Sequence, residues 1–206
     1  MRYVIHKDSY LGHPLNNSDK NDEGFYVEIL HRIETLFDCM IKRRSSVFFT
    51  MFDLNFPADP SLSYPNDNGL ISRFIEALTL HYKRLKYDPK YLWVRECPSS
   101  DRFHYHVMLL LDSNRTQNAH GILDKATELW QRCLGIDNGE GLVHLCKPDK
   151  HNINVYRDGV KIRRNATNFR QVYDECYQHA SYLAKCYSKG SAPDYVNEFG
   201  CSRLPY

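Results

Sequence analysis

The chain has no stretch near the roughly 20 consecutive apolar residues that a membrane-crossing helix needs, which argues against a membrane role. Residues 1–8 carry no apolar signal-peptide core. Its seven cysteines are an odd number with no Cys-x-x-Cys pair, so they make a poor disulfide framework and suit a reducing cytoplasm. No Gly-x-x-x-x-Gly-Lys-Ser/Thr phosphate loop is present, so the chain has no ATPase of that type. There is no internal repeat and no zinc-protease helix motif. There is also no large charge excess: the net charge of +2 does not by itself mark a nucleic-acid binder. What is present is globular. A 42% hydrophobic share with 25% charged residues over 206 positions suffices for one well-buried domain with elaborations.

The apolar pattern predicts a helix over 23–40, with Lys42, Arg43 and Arg44 suiting its C-terminus. A strand follows at 46–56, then a loop rich in Pro and Asp. A helix is expected at 69–86, strands at 91–96 and 103–111 joined by a hairpin loop, a helix at 116–133 and a strand at 141–146. Residues 16–22 read as a polar loop and 148–165 as a hairpin or loop insertion. A last long helix spans 168–188. From residue 46 the order is strand, helix, strand, strand, helix, strand, helix. This is the split βαβ pattern of an α+β, ferredoxin-like fold, with one central antiparallel sheet of about five strands and helices on one face. The expected divisions are an N-terminal extension with one helix (1–45), a core domain (46–190) and an irregular tail (191–206).

His104-Tyr105-His106 lies within the apolar strand. Side chains alternate along a strand, so His104 and His106 share a face and Tyr105 takes the other. A shared divalent metal gives two such imidazoles a reason. Glu96 ends the preceding strand, and the hairpin can bring it beside them. That would make a cluster of two histidines and one carboxylate with positions left for a phosphate oxygen. Residues 107–112 lack the Glu that a cupin-like site wants, and His179-Ala180-Ser181 has no second His-x-Ser/Thr partner for a two-histidine phosphoesterase. On the last helix Tyr182 and Lys185 are three apart and share a face. A tyrosine hydroxyl can attack a phosphodiester if a cation stabilises the phosphorane charge.

A strand ending in Phe48-Phe49-Thr50-Met51-Phe52-Asp53, a carboxylate and His-x-His on adjacent strands, and a downstream Tyr-x-x-Lys together resemble the HUH endonuclease superfamily of rolling-circle replication initiators. Tyr182-Leu183-Ala184-Lys185 with Gly141-Leu142-Val143-His144 looks like the replication proteins of filamentous phages (inoviruses) and their satellite relatives. The resemblance implies His104, His106 and Glu96 as ligands of Mg²⁺ or Mn²⁺, Tyr182 as the nucleophile forming a 5′-phosphotyrosine bond, and Lys185 at the scissile phosphate. Some phage initiators carry a second tyrosine four positions earlier. Gln178 stands there, so a single-tyrosine mechanism is expected, with Tyr177 and Tyr173 the nearest substitutes and a homodimer as a second source. His144 and His179 are accessory candidates.

The implied substrate is single-stranded or supercoiled origin DNA in the cytoplasm of a bacterial host. A host helicase would unwind it and a DNA polymerase would extend the 3′-hydroxyl. Lys161, Arg163, Arg164 and Lys189 are expected to contact DNA. Rival readings are an HUH transposase or relaxase, though no extended three-histidine motif supports the latter; a small-phosphoester hydrolase; or a non-catalytic nucleic-acid-binding module on a ferredoxin-like sheet.

Overall fold

The computed structural model describes residues 3–16, 24–59, 61–97, 103–114, 119–146, 159–187 and 189–203. Residues 17–22 of the expected polar loop, most of the hairpin loop and residues 148–158 of the expected insertion lie outside that set. In chain order the elements are β1 (Val4–Ile5), β2 (Ser9–Tyr10), β3 (His13–Pro14), β4 (Phe25–Tyr26), α1 (Val27–Arg43), β5 (Ser46–Leu54), α2 (Gly69–Arg84) and β6 (Lys90–Glu96). They continue with β7 (His104–Asp112), α3 (His120–Leu134), β8 (Val143–Leu145), β9 (Val160–Arg163), α4 (Phe169–Ser181) and β10 (Phe199–Cys201).

Among the described residues the main sheet has six strands in the order β10-β6-β7-β5-β8, with β9 also pairing β5, and every pairing is antiparallel. β7 lies between β6 and β5, so the β5–α2–β6 unit is split by the strand that follows it, as the element order implies. The two strands beyond the expected core come from segments read as an insertion (β9) and an irregular tail (β10). β8 and β9 share one edge of β5: β9 lies along Ser46 to Phe49 and β8 along Phe52 to Leu54.

Helices cover both faces of the sheet, not one. Phe49, Met51, Val94, Met108 and Leu110 pack with α1 and α4, whereas Phe48, Phe52, Trp93, Val107 and Leu109 pack with α2 and α3. Double burial explains why β5 and β7 read as nearly unbroken apolar runs rather than alternating ones. The boundaries drawn at 45/46 and 190/191 do not separate packing units. α1 puts Ile29, Leu30, Ile33, Leu36, Phe37 and Met40 into the sheet's own core. β10 pairs β6 with Gly200 opposite Trp93, and a Cβ at Gly200 would sit 2.7 Å from the indole, so only glycine fits there.

The helix ends follow from local chemistry. Arg164 Nη1 donates to the carbonyls of Ile41 and Lys42 at 3.2 Å each, satisfying the last turn of α1. Gly135, at φ 70°, closes α3 in the left-handed conformation. α4 stops at Ser181, short of the expected 188, and runs into a 3₁₀ turn over Tyr182–Ala184. No helix among the described residues is long and apolar enough to cross a membrane.

Phe48 and Phe49 are neighbours on β5, both 1% exposed, and they belong to opposite faces. Truncating either to alanine is expected to cost about 3–5 kcal/mol in a denaturant titration. If one of the two costs less than about 0.5 kcal/mol, as an exposed position would, helices do not cover both faces.

Candidate metal centre

Strand register builds this site. β7 lies between β5 and β6, with His106 opposite Asp53 on one side and Val94 on the other, and His104 opposite Glu96. Paired residues share a face, so Asp53, Glu96, His104 and His106 all emerge on the α1/α4 side, while Tyr105 is fully buried on the other. His106 Nε2 lies 3.1 Å from Glu96 Oε2 and 3.0 Å from His104 Nε2. The ligand atoms of Glu96, His104 and His106 lie within 4.8 Å of one another. The structure thus brings together the three expected ligands.

Two further residues complete the cluster. Asp53 Oδ1 accepts a hydrogen bond from His106 Nδ1. The thiol of Cys146 donates to the same Asp53 oxygen at 2.7 Å. Asp53 did carry a signal, as the one charged residue in a mostly apolar strand. Cys146 carried none, because it reaches the site only through the pairing of β8 with β5. Lys189, expected at a DNA surface, is instead fully buried at its side chain. Its Nζ donates to Glu96 Oε1 at 2.8 Å and to the Lys185 carbonyl at 2.7 Å. Arg164, expected there too, spends its guanidinium on the end of α1.

The electrostatics are those of a charged cluster in a poorly hydrated place. Burial opposes the His106 imidazolium, yet the hydrogen bonds to Asp53 and Glu96 outweigh it and push its pKa up to about 9. Burial likewise opposes ionisation of Glu96, but His106 and Lys189 hold its carboxyl well below the usual range. Asp53 is lowered against burial by its bond to His106. Burial and the neighbouring His106 lower the His104 pKa, leaving a neutral imidazole available as a ligand. Burial and Asp53 hold the Cys146 thiol protonated. Two imidazoles and one carboxylate fit a divalent ion with mixed oxygen and nitrogen preference, and Asp53 supplies the orienting bond that metal-ligating histidines usually have.

Tyr182 comes to the same place from the end of α4. Its ring centroid lies 5.6 Å from that of His106, edge to face. Lys185 is not on the helix face with it. The backbone of Lys185 is extended and bridges Phe25 of β4, and Cys186 N donates to Gly24 O at 3.1 Å. Lys185 Nζ nonetheless sits 5.1 Å from the Tyr182 ring centroid. The Tyr182 hydroxyl is 2.6 Å from that of Tyr187, a pairing that five-residue spacing did not suggest, because it depends on the chain leaving the helix.

Tyr177 and Tyr173 face the core instead. Tyr177 Oη donates to Leu30 O at 3.3 Å and Tyr173 Oη to Asp38 Oδ1 at 3.2 Å, and burial raises both pKa values. His179 is buried against Phe49. His144 pairs Asp53 in register but is exposed.

A family model described as the YagK/YfjJ C-terminal domain matches residues 6–202. The uncharacterized protein YfjJ of Escherichia coli (strain K12) is 27% identical over 210 residues, spanning 87% of this chain and 96% of that protein. Among solved structures, the catalytic domain of the Adeno Associated Virus type 5 Rep protein aligns with a TM-score of 0.37 and 12% identity, covering 57% of this chain and 75% of that one. A likeness that loose carries no argument about this chain.

His106 is protonated in the metal-free protein, and its folded pKa lies above the ordinary value of 6.5. Its contribution to stability is therefore complete below pH 6.5 and lost as pH rises through about 9. The metal-free melting temperature is expected to fall across that window. Mn²⁺ affinity, read by calorimetry, should rise about tenfold per pH unit between pH 6.5 and 8.5, because the ion displaces one proton. A flat affinity profile would remove His106 from the ligand set. Asp53→Asn should weaken Mn²⁺ binding about 10–100-fold while keeping the fold; unchanged affinity would reduce Asp53 to packing.

Proposed function

We propose that this chain, which belongs to the YagK/YfjJ C-terminal domain family, is a metal-dependent DNA-nicking and rejoining enzyme of the HUH type that initiates rolling-circle replication. The observation that carries the reading is the placement of a tyrosine ring and a lysine beside a cluster of two histidines and one carboxylate on one face of the sheet. His104, His106 and Glu96 would hold the ion. Bound there, a divalent metal supplies Lewis-acid polarisation of the scissile phosphate.

The rest of the chemistry belongs to the side chains. Tyr182 Oη forms a bond to phosphorus as the bond from phosphorus to the 3′-oxygen breaks, giving a 5′-phosphotyrosine and a free 3′-hydroxyl. The leaving 3′-oxygen takes up a proton. Tyr187, hydrogen-bonded to the Tyr182 hydroxyl and 37% exposed, aims the nucleophile and offers its proton a route to solvent. Lys185 Nζ, above the Tyr182 ring, favours the phenolate and the extra negative charge at phosphorus. Lys189 keeps Glu96 ionised and fixed, and Asp53 does the same for the orientation of His106. The bond to tyrosine conserves phosphodiester energy, so a returning 3′-hydroxyl can reverse the step.

The finer reading, a replication protein like those of inoviruses, rests on Tyr182-Leu183-Ala184-Lys185 and Gly141-Leu142-Val143-His144 alone. Origin DNA is the proposed substrate, with helicase and polymerase supplied by the host, and a second protomer would provide the second tyrosine for strand transfer.

The test is a covalent-adduct assay. The protein is incubated with single strands covering the flanks of its own gene and Mn²⁺, then run on a denaturing gel. A shifted band is expected, absent in Tyr182→Phe and in His106→Ala and formed about 10²–10³-fold more slowly in Lys185→Met. Loss in His106→Ala but not in Tyr182→Phe would move the nucleophile to another residue, Tyr187 first. DNA binding without any adduct would support a non-catalytic binding module instead.

A further inference from the structure

A second feature lies at the other end of β5. There the sheet encloses an open cavity of about 540 Å³ lined by Ser46, Ser113, Asn114, Lys161, Arg163 and Asn165 among others, with no carboxylate among its described lining residues. Register explains the lining. Val160 and Ile162 of β9 point into the α1/α4 core, so Lys161 and Arg163 project from the opposite face, paired with Phe48 and Ser46. Asp112, next to Ser113 in the chain, is paired with Val47 and so points to the other face. There Arg44 Nη1 holds it at 3.3 Å, and Asn114 N donates to it at 3.0 Å.

The neighbouring cations are spent on structure. Arg43, Arg44 and Lys90 share Asp88, and Arg164 closes α1. Lys161 and Arg163, by contrast, have no ion-pair partner among the described residues. Two cations without an acidic partner among the described residues, set among hydroxyl and amide groups in a concave site, suit a phosphate diester. Arg can grip it through two N–H groups while Lys acts as a point charge.

From these observations we infer that the cavity is a backbone-phosphate site that holds the DNA substrate at a distance from the nick. The inference rests on the DNA-processing reading and adds a second point of grip to it. Ser46 and Asp53 are seven residues apart on one strand, about 23 Å at roughly 3.3 Å per residue. At about 3.4 Å per nucleotide along one strand of a duplex, that is about seven nucleotides at least, since the cavity and the metal cluster lie on opposite faces. Phosphate contacts of this kind fix register without reading sequence. Lys161 and Arg163 would thus set which phosphate reaches Tyr182.

The experiment measures binding, in EDTA, where no covalent chemistry runs. A fluorescent 30-nucleotide strand of mixed sequence is titrated with the full chain, with Lys161→Gln/Arg163→Gln, and with Lys83→Gln/Arg84→Gln as a charge-matched control on α2. The cavity pair should weaken binding on the order of tenfold and lower the slope of log affinity against log salt by about 1.4, at about 0.7 per single-strand phosphate contact. The control pair should change affinity less than about twofold, and Arg163→Lys should retain most of it. Melting temperatures of all variants should match the wild type, since both side chains reach solvent. Equal loss in cavity and control variants would mean a diffuse charge effect, and no loss would remove the site; either overturns the inference. Competition by dTMP or inorganic phosphate at micromolar concentration would assign the cavity to a small phosphate ligand and overturn it too. A missing Tyr182 adduct, with these results intact, would overturn the nicking chemistry and leave the phosphate site standing.

Discussion

The structure turns on one imidazole. Asp53 on β5 takes His106 Nδ1 and Glu96 on β6 takes Nε2, so both nitrogens of a buried histidine are engaged across three consecutive strands. The arrangement exists only if β5, β7 and β6 pair in this register. A slip of one residue would send His106 to the α2/α3 face, beside Trp93 and Phe52. Burying four ionisable groups together is costly unless each is paired, and here each carboxylate meets a cation or a thiol proton. The site and the sheet therefore specify each other.

The parts of the chain outside the split βαβ unit finish the job. β4 precedes α1, and Phe25 bridges Lys185, so the first residues hold the chain that leaves the 3₁₀ turn. Gly24, at φ 78°, accepts the Cys186 amide through its carbonyl. A Cβ at Gly24 would lie 2.6 Å from Ile5 O, so the close approach there needs glycine. That pinning turns the backbone after Tyr182 away from helical and returns Lys189 to Glu96. At the other end of the chain, Gly190 N donates to Glu198, and β10 seals the edge of β6. Both termini, which the sequence suggested setting apart from the core, thus brace the tyrosine segment and the strand that carries Glu96.

The legible features were those governed by local period. His104 and His106 fall on one face because strand side chains alternate. Glu96 meets them because a hairpin folds the two strands together. The helices appear where apolar residues recur at three and four positions. The features that were not legible depend on long-range pairing. Cys146 is 93 residues from Asp53, and Tyr187 meets Tyr182 because the helix ends where it does. The second layer of helices was invisible for another reason. An apolar run shows that a strand is buried but not how many helices bury it, and only packing put α1 and α4 on one face and α2 and α3 on the other.

By itself, then, the sequence determined the strand and helix order from β5 to β8, the shared face of the two histidines, and the tyrosine–lysine pair near the end of the last helix, because each is written in spacings shorter than ten residues. Tertiary structure alone decided that Asp53 orients His106, that Lys189 neutralises Glu96 rather than facing DNA, and that Lys161 and Arg163 line a cavity while Arg164 caps a helix. Those outcomes depend on which charges are brought within a few ångströms in a medium of low polarity. That distance is set by sheet register and helix termination, and no local pattern encodes it.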